Sequence, residues 1–274
     1  MNYAAARPAR YPGWTGGRDA LRAEWSKLLT VPGPAWLVAA TVGLTVAVSA
    51  AADAASRCPA GMTCSVDTVK LSLTGIELGQ AVVAILAVLP LCNEYSTGMM
   101  RVTLAAIPRR PVVLAAKASV VTCLVLVASA FAVLGSLMAG LLILPGHGFT
   151  AARGFSELSL AYGPTLRAAT GSVLYLGLVA LLSMGVAAIV RDSAVSIGLA
   201  LGLLYLFPVF TAFIGNQTWH NRIERYTPMA GLNVQATSGL HALPIGPWAG
   251  LGVLAIWALT ALLVGGLLLR LRDA

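Results

Sequence analysis

Six long apolar runs, Ala35 to Ala52, Leu71 to Leu91, Ala118 to Leu144, Leu166 to Val190, Ala194 to Ile214 and Trp248 to Leu269, fill most of the chain and narrow its folding options sharply. Each reaches about 18 residues or more, enough to cross roughly 30 Å of hydrocarbon. In that medium a segment must satisfy its own backbone amides and carbonyls, so the runs predict helices. Charged residues are only 10% of the sequence and hydrophobic ones 58%, with a mean hydropathy of +0.84, whereas soluble domains carry about 25% charge. The expected fold is therefore all-α and integral to a membrane, with six transmembrane helices, no soluble domain and no internal repeat. The first run is Ala-rich, so its insertion rests on Trp36, Leu37, Val38, Val42, Leu44, Val46 and Val48. Small residues follow it in SAAADAAS, Ser49 to Ser56. The run is nevertheless longer than the roughly 7–15 residues of a signal-peptide core and has a long leader, which predicts a retained span.

Of the 18 Lys and Arg residues, twelve fall on the side of the N-terminus and six on the other: Arg57, Lys70, Arg153, Arg167, Arg222 and Arg225. The excess predicts that both termini are cytoplasmic. These cations flank spans and form no continuous stripe, so the net charge of +8 points to anionic lipid headgroups and an acidic partner surface, with no nucleic acid. Cys58 and Cys64, in RCPAGMTC, fall in the first outer loop, where either a disulfide or two free thiols is open. Cys92 and Cys123 read as small buried hydrophobes.

Residues 1–17 form an Ala-, Arg-, Pro- and Gly-rich cytoplasmic tail. Over 18–34, Leu21, Trp25, Leu28 and Leu29 recur on one face, opposite Arg18, Asp19, Arg22 and Lys27, which predicts an amphipathic interfacial helix stopped by Pro32 and Pro34. The membrane domain spans 35–270, a short tail spans 271–274, and the outer segment 215–247 is long enough for one or two capping helices. No catalytic or metal-binding constellation emerges. His147, His220 and His241 are scattered through outer loops, and no GxSxG, SxxK, HExxH or GxxxxGK[ST] pattern occurs. No cofactor is expected in this chain.

The stretch NEYSTGMMRVTLAAIPRRP, Asn93 to Pro111, is too polar to span. Ser96 or Thr97 can cap a short helix, Gly98 permits close backbone approach, and Pro108 ends it after two to three turns. Met99, Met100, Val102, Leu104 and Ile107 distribute around that helix, which then either docks a partner or packs on its own spans. Within span two, Glu77 and Gln80 lie one turn apart on one face. An acid there faces a cavity, a partner helix or the membrane edge. Span five ends LLYLFPVFTAFIG, where Pro208 can kink the helix among Tyr205, Phe207, Phe210 and Phe213, as an apolar gate or an aromatic belt.

The run EYSTGMMRVTLAAIPRRPVVLAAK, Glu94 to Lys117, resembles the membrane subunits of ABC transporters of the type-2 permease family, in which an acid, a glycine, a short helix, a proline with basic residues and a lysine follow in this order. The leader ALRAEWSKLLTVPGPAW resembles the family's elbow helix, particularly as found in high-GC Gram-positive bacteria, and ERYTPMAGLNVQA resembles its external segment, with Thr227 and Leu232 departing from the pattern. The resemblance implies a type-2 ABC exporter permease fold with a cytoplasmic coupling segment over 94–117. Glu94 would hold the loop through a base such as Arg101. Met99, Met100, Leu104 and Ile107 would press into an ATPase, Pro108 would end the helix, Arg109 and Arg110 would meet acidic groups or lipid phosphates, and Lys117 would anchor span three. Spans two and five of two subunits would face one another, making Glu77, Gln80, Tyr205, Phe207, Pro208 and Phe210 a translocation path. The implied function is export of a hydrophobic or amphipathic substrate across a bacterial cell membrane. Two separate ATPase chains holding ATP and Mg would supply the energy, and a second permease copy would complete a homodimer. The alternative is a non-transporting anchor that tethers a cytoplasmic ATPase.

Overall fold

The computed structural model describes residues 15–30, 32–59, 64–100, 103, 110–150, 154–155, 158–213, 217–239 and 243–272. Its long elements are α1 (Thr15–Thr30), α2 (Pro32–Ala55), α4 (Ile76–Ser96), α5 (Arg110–Ile143), α6 (Gly163–Val190), α7 (Ser193–Ala212) and α9 (Pro247–Arg272), with short helices α3 (Thr68–Ser72) and α8 (Gln217–Tyr226). Two 3₁₀ turns, Leu144–His147 and Pro228–Gln235, complete it, and no strand occurs among the described residues. Six helices, α2, α4, α5, α6, α7 and α9, are long and apolar enough to cross a membrane. We call the end of the bundle that holds the α4–α5 connection proximal and the opposite end distal.

The apolar runs place these helices but not all their ends. Span two begins at Ile76, because Leu71 and Ser72 belong to α3 and a turn separates the two. Helix α5 starts at Arg110, well before the apolar run, and at 1.5 Å per residue its 34 residues measure about 51 Å. It therefore outreaches a hydrocarbon layer of about 30 Å by several turns.

Helix α6 is the hub, packed on α4, α5, α7 and most extensively on α9. Small residues let the α6–α9 backbones meet: a Cβ at Gly185 would lie 2.7 Å from Ala261, and one at Gly265 would lie 2.7 Å from the Ala188 Cβ. Close packing of this kind is what holds helices together in lipid, where hydrophobicity no longer favours one apolar neighbour over another. Helix α2 obeys the same rule from its polar side. Its buried residues are Thr41, Thr45, Ser49 and Asp53, one every four positions, while Trp36 and Leu44 stay exposed. Ser49 Oγ accepts from the Gly75 amide at 3.1 Å and Asp53 Oδ1 accepts from Ser72 Oγ at 3.1 Å. Trp36 and Leu44 thus face outward, Leu37 and Val38 pack partly against the core, and the small polar stripe faces the protein.

The distal connections are stitched to one another. Cys58 and Cys64 form a disulfide with a Cα–Cα separation of 6.1 Å. The Cys58 amide donates to the His147 carbonyl at 2.9 Å, and His147 Nδ1 donates to the Ser56 carbonyl at 2.9 Å. Asp67 caps α3 by accepting from the Lys70 amide. It also accepts from the amides of Thr237 and Ser238, at 2.6 and 2.8 Å, and from both of their hydroxyls. The turn Pro228–Gln235 is buried between α6 and α9, and Arg167 Nη2 donates to the Ala236 carbonyl at 2.6 Å.

Two outcomes follow for this end. Denatured, unreduced protein should take two thiol labels, on Cys92 and Cys123, and four after reduction. Four labels without reductant would refute the disulfide. Burial alone would raise the Asp67 carboxyl, but hydrogen bonds from Ser238, Thr237 and Lys70 prevail and hold it below its ordinary 3.8. A carboxyl lowered by folding stabilises above its unfolded value and loses that contribution as pH falls through the lower folded value. The gap in thermal midpoint between wild type and Asp67→Asn should therefore be fully open at neutral pH and close as pH drops below 3.8.

Candidate functional site

The α4–α5 connection leaves the bundle beside a buried ionic cluster. Glu94 sits in the last turn of α4, Lys117 two turns into α5, and Glu24 and Lys27 one turn apart on α1. Lys117 Nζ donates to Glu24 Oε2 at 2.5 Å and to Glu94 Oε1 at 3.0 Å. Lys27 Nζ donates to Glu94 Oε1 at 2.8 Å and Glu24 Oε1 at 3.1 Å. Lys117 is 1% exposed, Glu24 5% and Glu94 7%. Two carboxylates and two ammonium groups balance, which is the condition for keeping charge in so dry a place. Burial works against the Lys27 charge, but the hydrogen bond to Glu94 and the fields of Glu24 and Glu94 offset it. The ammonium is held above its ordinary 10.5.

This cluster changes three expectations. Glu94 is held by Lys27 and Lys117; the expected partner Arg101 lies outside the described residues, as do Leu104, Ile107, Pro108 and Arg109 and the side chains of Arg110, Leu28 and Leu29. Lys27, expected on the solvent face of α1, turns inward with Glu24. Leu21 and Trp25 instead point outward, 40% and 46% exposed, as an interfacial helix bonded to its protein by charge and to lipid by its apolar face would have them. Lys117 does tie the start of span three, and its ties run to α1 as well as α4.

The connection itself also departs from expectation. The Ser96 and Thr97 hydroxyls both donate back to the Asn93 carbonyl of α4, at 3.1 and 2.7 Å, and most of the segment they were expected to cap lies outside the described residues. Gly98 serves its backbone, with φ of 71° at the end of α4, and a Cβ there would meet nothing within 4 Å. This is the left-handed residue that closes a helix. Beyond it Met99 is 49% exposed, whereas Met100, expected on the docking surface, is 4% exposed and joins the core. Consecutive helical residues point about 100° apart, and here one methionine packs inward while the other remains available.

The path residues divide. Glu77 and Pro208 line a distal cavity of about 320 Å³ together with Lys70, Glu224, Thr227, Leu232 and Asn233. Gln80 is fully buried below it and accepts from the Tyr175 hydroxyl, and the Tyr205 hydroxyl donates to the Glu77 carbonyl. Phe210 faces outward, 57% exposed, and Phe207 is half-buried. Pro208 and Glu77 thus meet at one opening, while Gln80 and Tyr205 knit α4 to its neighbours and Phe210 lies on the bundle's surface.

Sequence reasoning missed Glu24, although Glu24 and Lys27 stand at helical i, i+3 spacing with opposite charge. It also missed Arg191, which ends α6 at φ 67°. Its guanidinium lies 5.0 Å from the Tyr95 ring and donates to the Leu268 carbonyl at 3.4 Å, joining α4, α6 and α9.

No protein-family model and no curated protein matches the chain. What the fold defines is a class, an all-helical protein with six helices fit to cross a membrane.

Removing one member of the cluster strands a buried charge. Lys117→Met should lower stability by about 3–5 kcal/mol, read as thermal unfolding of the detergent-purified chain. Adding Glu94→Gln should restore part of that loss, since the double variant is neutral again. Equal midpoints for wild type and the single variant would show that the cluster contributes nothing.

Proposed function

We propose that the chain is the membrane-spanning permease subunit of an ATP-driven transporter of the ABC type-2 class, powered by separate ATPase chains and moving a hydrophobic or amphipathic substrate outward. The observation that supports this most is the ionic cluster at the root of the α4–α5 connection. In this reading an ATPase grips that connection at Met99 and the residues after it. Closing on ATP, the ATPase displaces the connection. Because Glu94 and Lys117 are bonded to Glu24 and Lys27, the load passes together to α4, α5 and α1 instead of bending a loop. Rigid spans then carry it toward the distal cavity at Glu77 and Pro208, where the path opens. A second permease copy would cover the outward faces of α4 and α7, giving Phe207 and Phe210 a partner.

The resemblance of Glu94 to Lys117 to family coupling segments agrees with this placement, and few charges along the spans favour lipids, peptides or drug-like products over sugars or ions. The proximal end is cytoplasmic in this reading, as the distribution of Lys and Arg implies.

Chain purified from its native membrane should bring with it an ATPase bearing a phosphate-binding loop, and the reconstituted pair should couple hydrolysis to movement of substrate. Met99→Glu should weaken ATPase binding by about tenfold or more while the chain still inserts and folds. A purified chain without any ATPase, or a Met99→Glu complex of unchanged yield and activity, would overturn the proposal.

A further inference from the structure

A partly open cavity of about 200 Å³ lies under α1, against the start of α2 and the end of α4. This is several times the ~30 Å³ share of one water. One end is the ionic cluster, with Lys27, Glu94 and the neighbouring Asn93; the other is apolar, formed by Leu37, Leu86, Leu89 and Pro90. The apolar wall lies one to two turns deeper in the spans than the charged end, so the cavity runs from the level of headgroups toward that of acyl chains.

The hydrogen bonds within the cluster leave a specific remainder. Both Glu24 oxygens are engaged, and Glu94 Oε1 accepts from both lysines. Glu94 Oε2 is buried and has no hydrogen-bond partner among the described residues. An orphaned carboxylate oxygen in a dry site is costly unless a donor reaches it. Lys27, 37% exposed at its side chain, spends two of its three protons on Glu24 and Glu94 and keeps one. The Asn93 side-chain amide, also on the wall, adds donors. The cavity wall therefore holds one anionic acceptor, Glu94 Oε2, which is covered until the carboxylate turns toward the cavity, beside cationic and amide donors, with no net charge in the cluster, above an apolar floor.

We propose that this cavity binds a zwitterionic lipid whose headgroup carries a primary ammonium, of the phosphatidylethanolamine class. The ammonium donates to Glu94 Oε2, the phosphate accepts from Lys27 and Asn93, and an acyl chain lies along Leu86, Leu89 and Pro90. A quaternary choline headgroup has no N–H to give and leaves Glu94 Oε2 orphaned. An anionic glycerol headgroup brings a charge that the balanced cluster does not call for. The inference goes beyond the transport reading and needs no ATPase to be tested.

The full chain, delipidated in detergent and offered dioleoyl phosphatidylethanolamine, phosphatidylcholine or phosphatidylglycerol at equal concentration, is read by native mass spectrometry. Wild type should retain the ethanolamine lipid about tenfold over either competitor, the scale of one charge-assisted hydrogen bond. Glu94→Gln removes the anionic acceptor, and Leu89→Trp fills the apolar end without touching the cluster. Each should bring the preference within about twofold. Leu142→Ala, on the outward face of α5, should leave it unchanged. Should Glu94→Gln fail to fold, wild type and Leu89→Trp suffice. Equal retention of the three lipids by wild type, or a preference that survives Leu89→Trp, would overturn the proposal.

Discussion

Four charges taken out of water together set the terms for the rest of this structure. Desolvating one ammonium or carboxylate costs several kcal/mol even after relaxation, so Lys117, at 1% exposure, is tenable only because two carboxylates reach it. Those carboxylates come from two different helices, α1 and α4, and Lys117 itself from a third. Charge balance thereby becomes a constraint on geometry: none of the three can leave without stranding a charge on the others. This is why α1 is fixed to the bundle through charge while Leu21 and Trp25 face outward.

Away from the cluster, packing rests on size. Gly185 and Gly265 bring α6 and α9 into backbone contact, and the Thr41–Thr45–Ser49–Asp53 stripe does the same for α2. In both places small residues make the closest approach, as expected when lipid is as apolar as leucine and tight packing has to hold the helices together.

The number and placement of the spans were legible in the sequence, because twenty apolar residues in lipid admit few structures. Helix ends were less so: α3 and the turn before Ile76 interrupt an apolar run with no charge or proline to announce the break, only Ser72, Thr74 and Gly75, and α5 extends past its run because Arg110 to Lys117 lies on the proximal edge. The amphipathic face of α1 was legible as periodicity, but periodicity does not say which face meets protein. The apolar face was read as the one for lipid and the charged face as the one for water, whereas Glu24 and Lys27 of the charged face meet protein. For the same reason Glu24 was invisible, since it gains meaning only when Glu94 and Lys117 arrive from elsewhere in the chain. The pairing of Cys58 with Cys64 could be weighed from the loop that holds them, but choosing it required the anchoring of that loop on His147 and near Asp67.

The distal stitching has a mechanical corollary. Hydrogen bonds of His147 to Ser56 and Cys58, beside the disulfide, and the Asp67 carboxylate accepting from Thr237 and Ser238 join all three distal connections, so relative sliding of helices there would break several bonds at once. At the proximal end the ion pairs and the Arg191 contacts to Tyr95 and Leu268 join the helices around a partly empty cavity, beside a proline in α4. The distal loops thus act as a brace, in which a load on any one connection is shared by the other two.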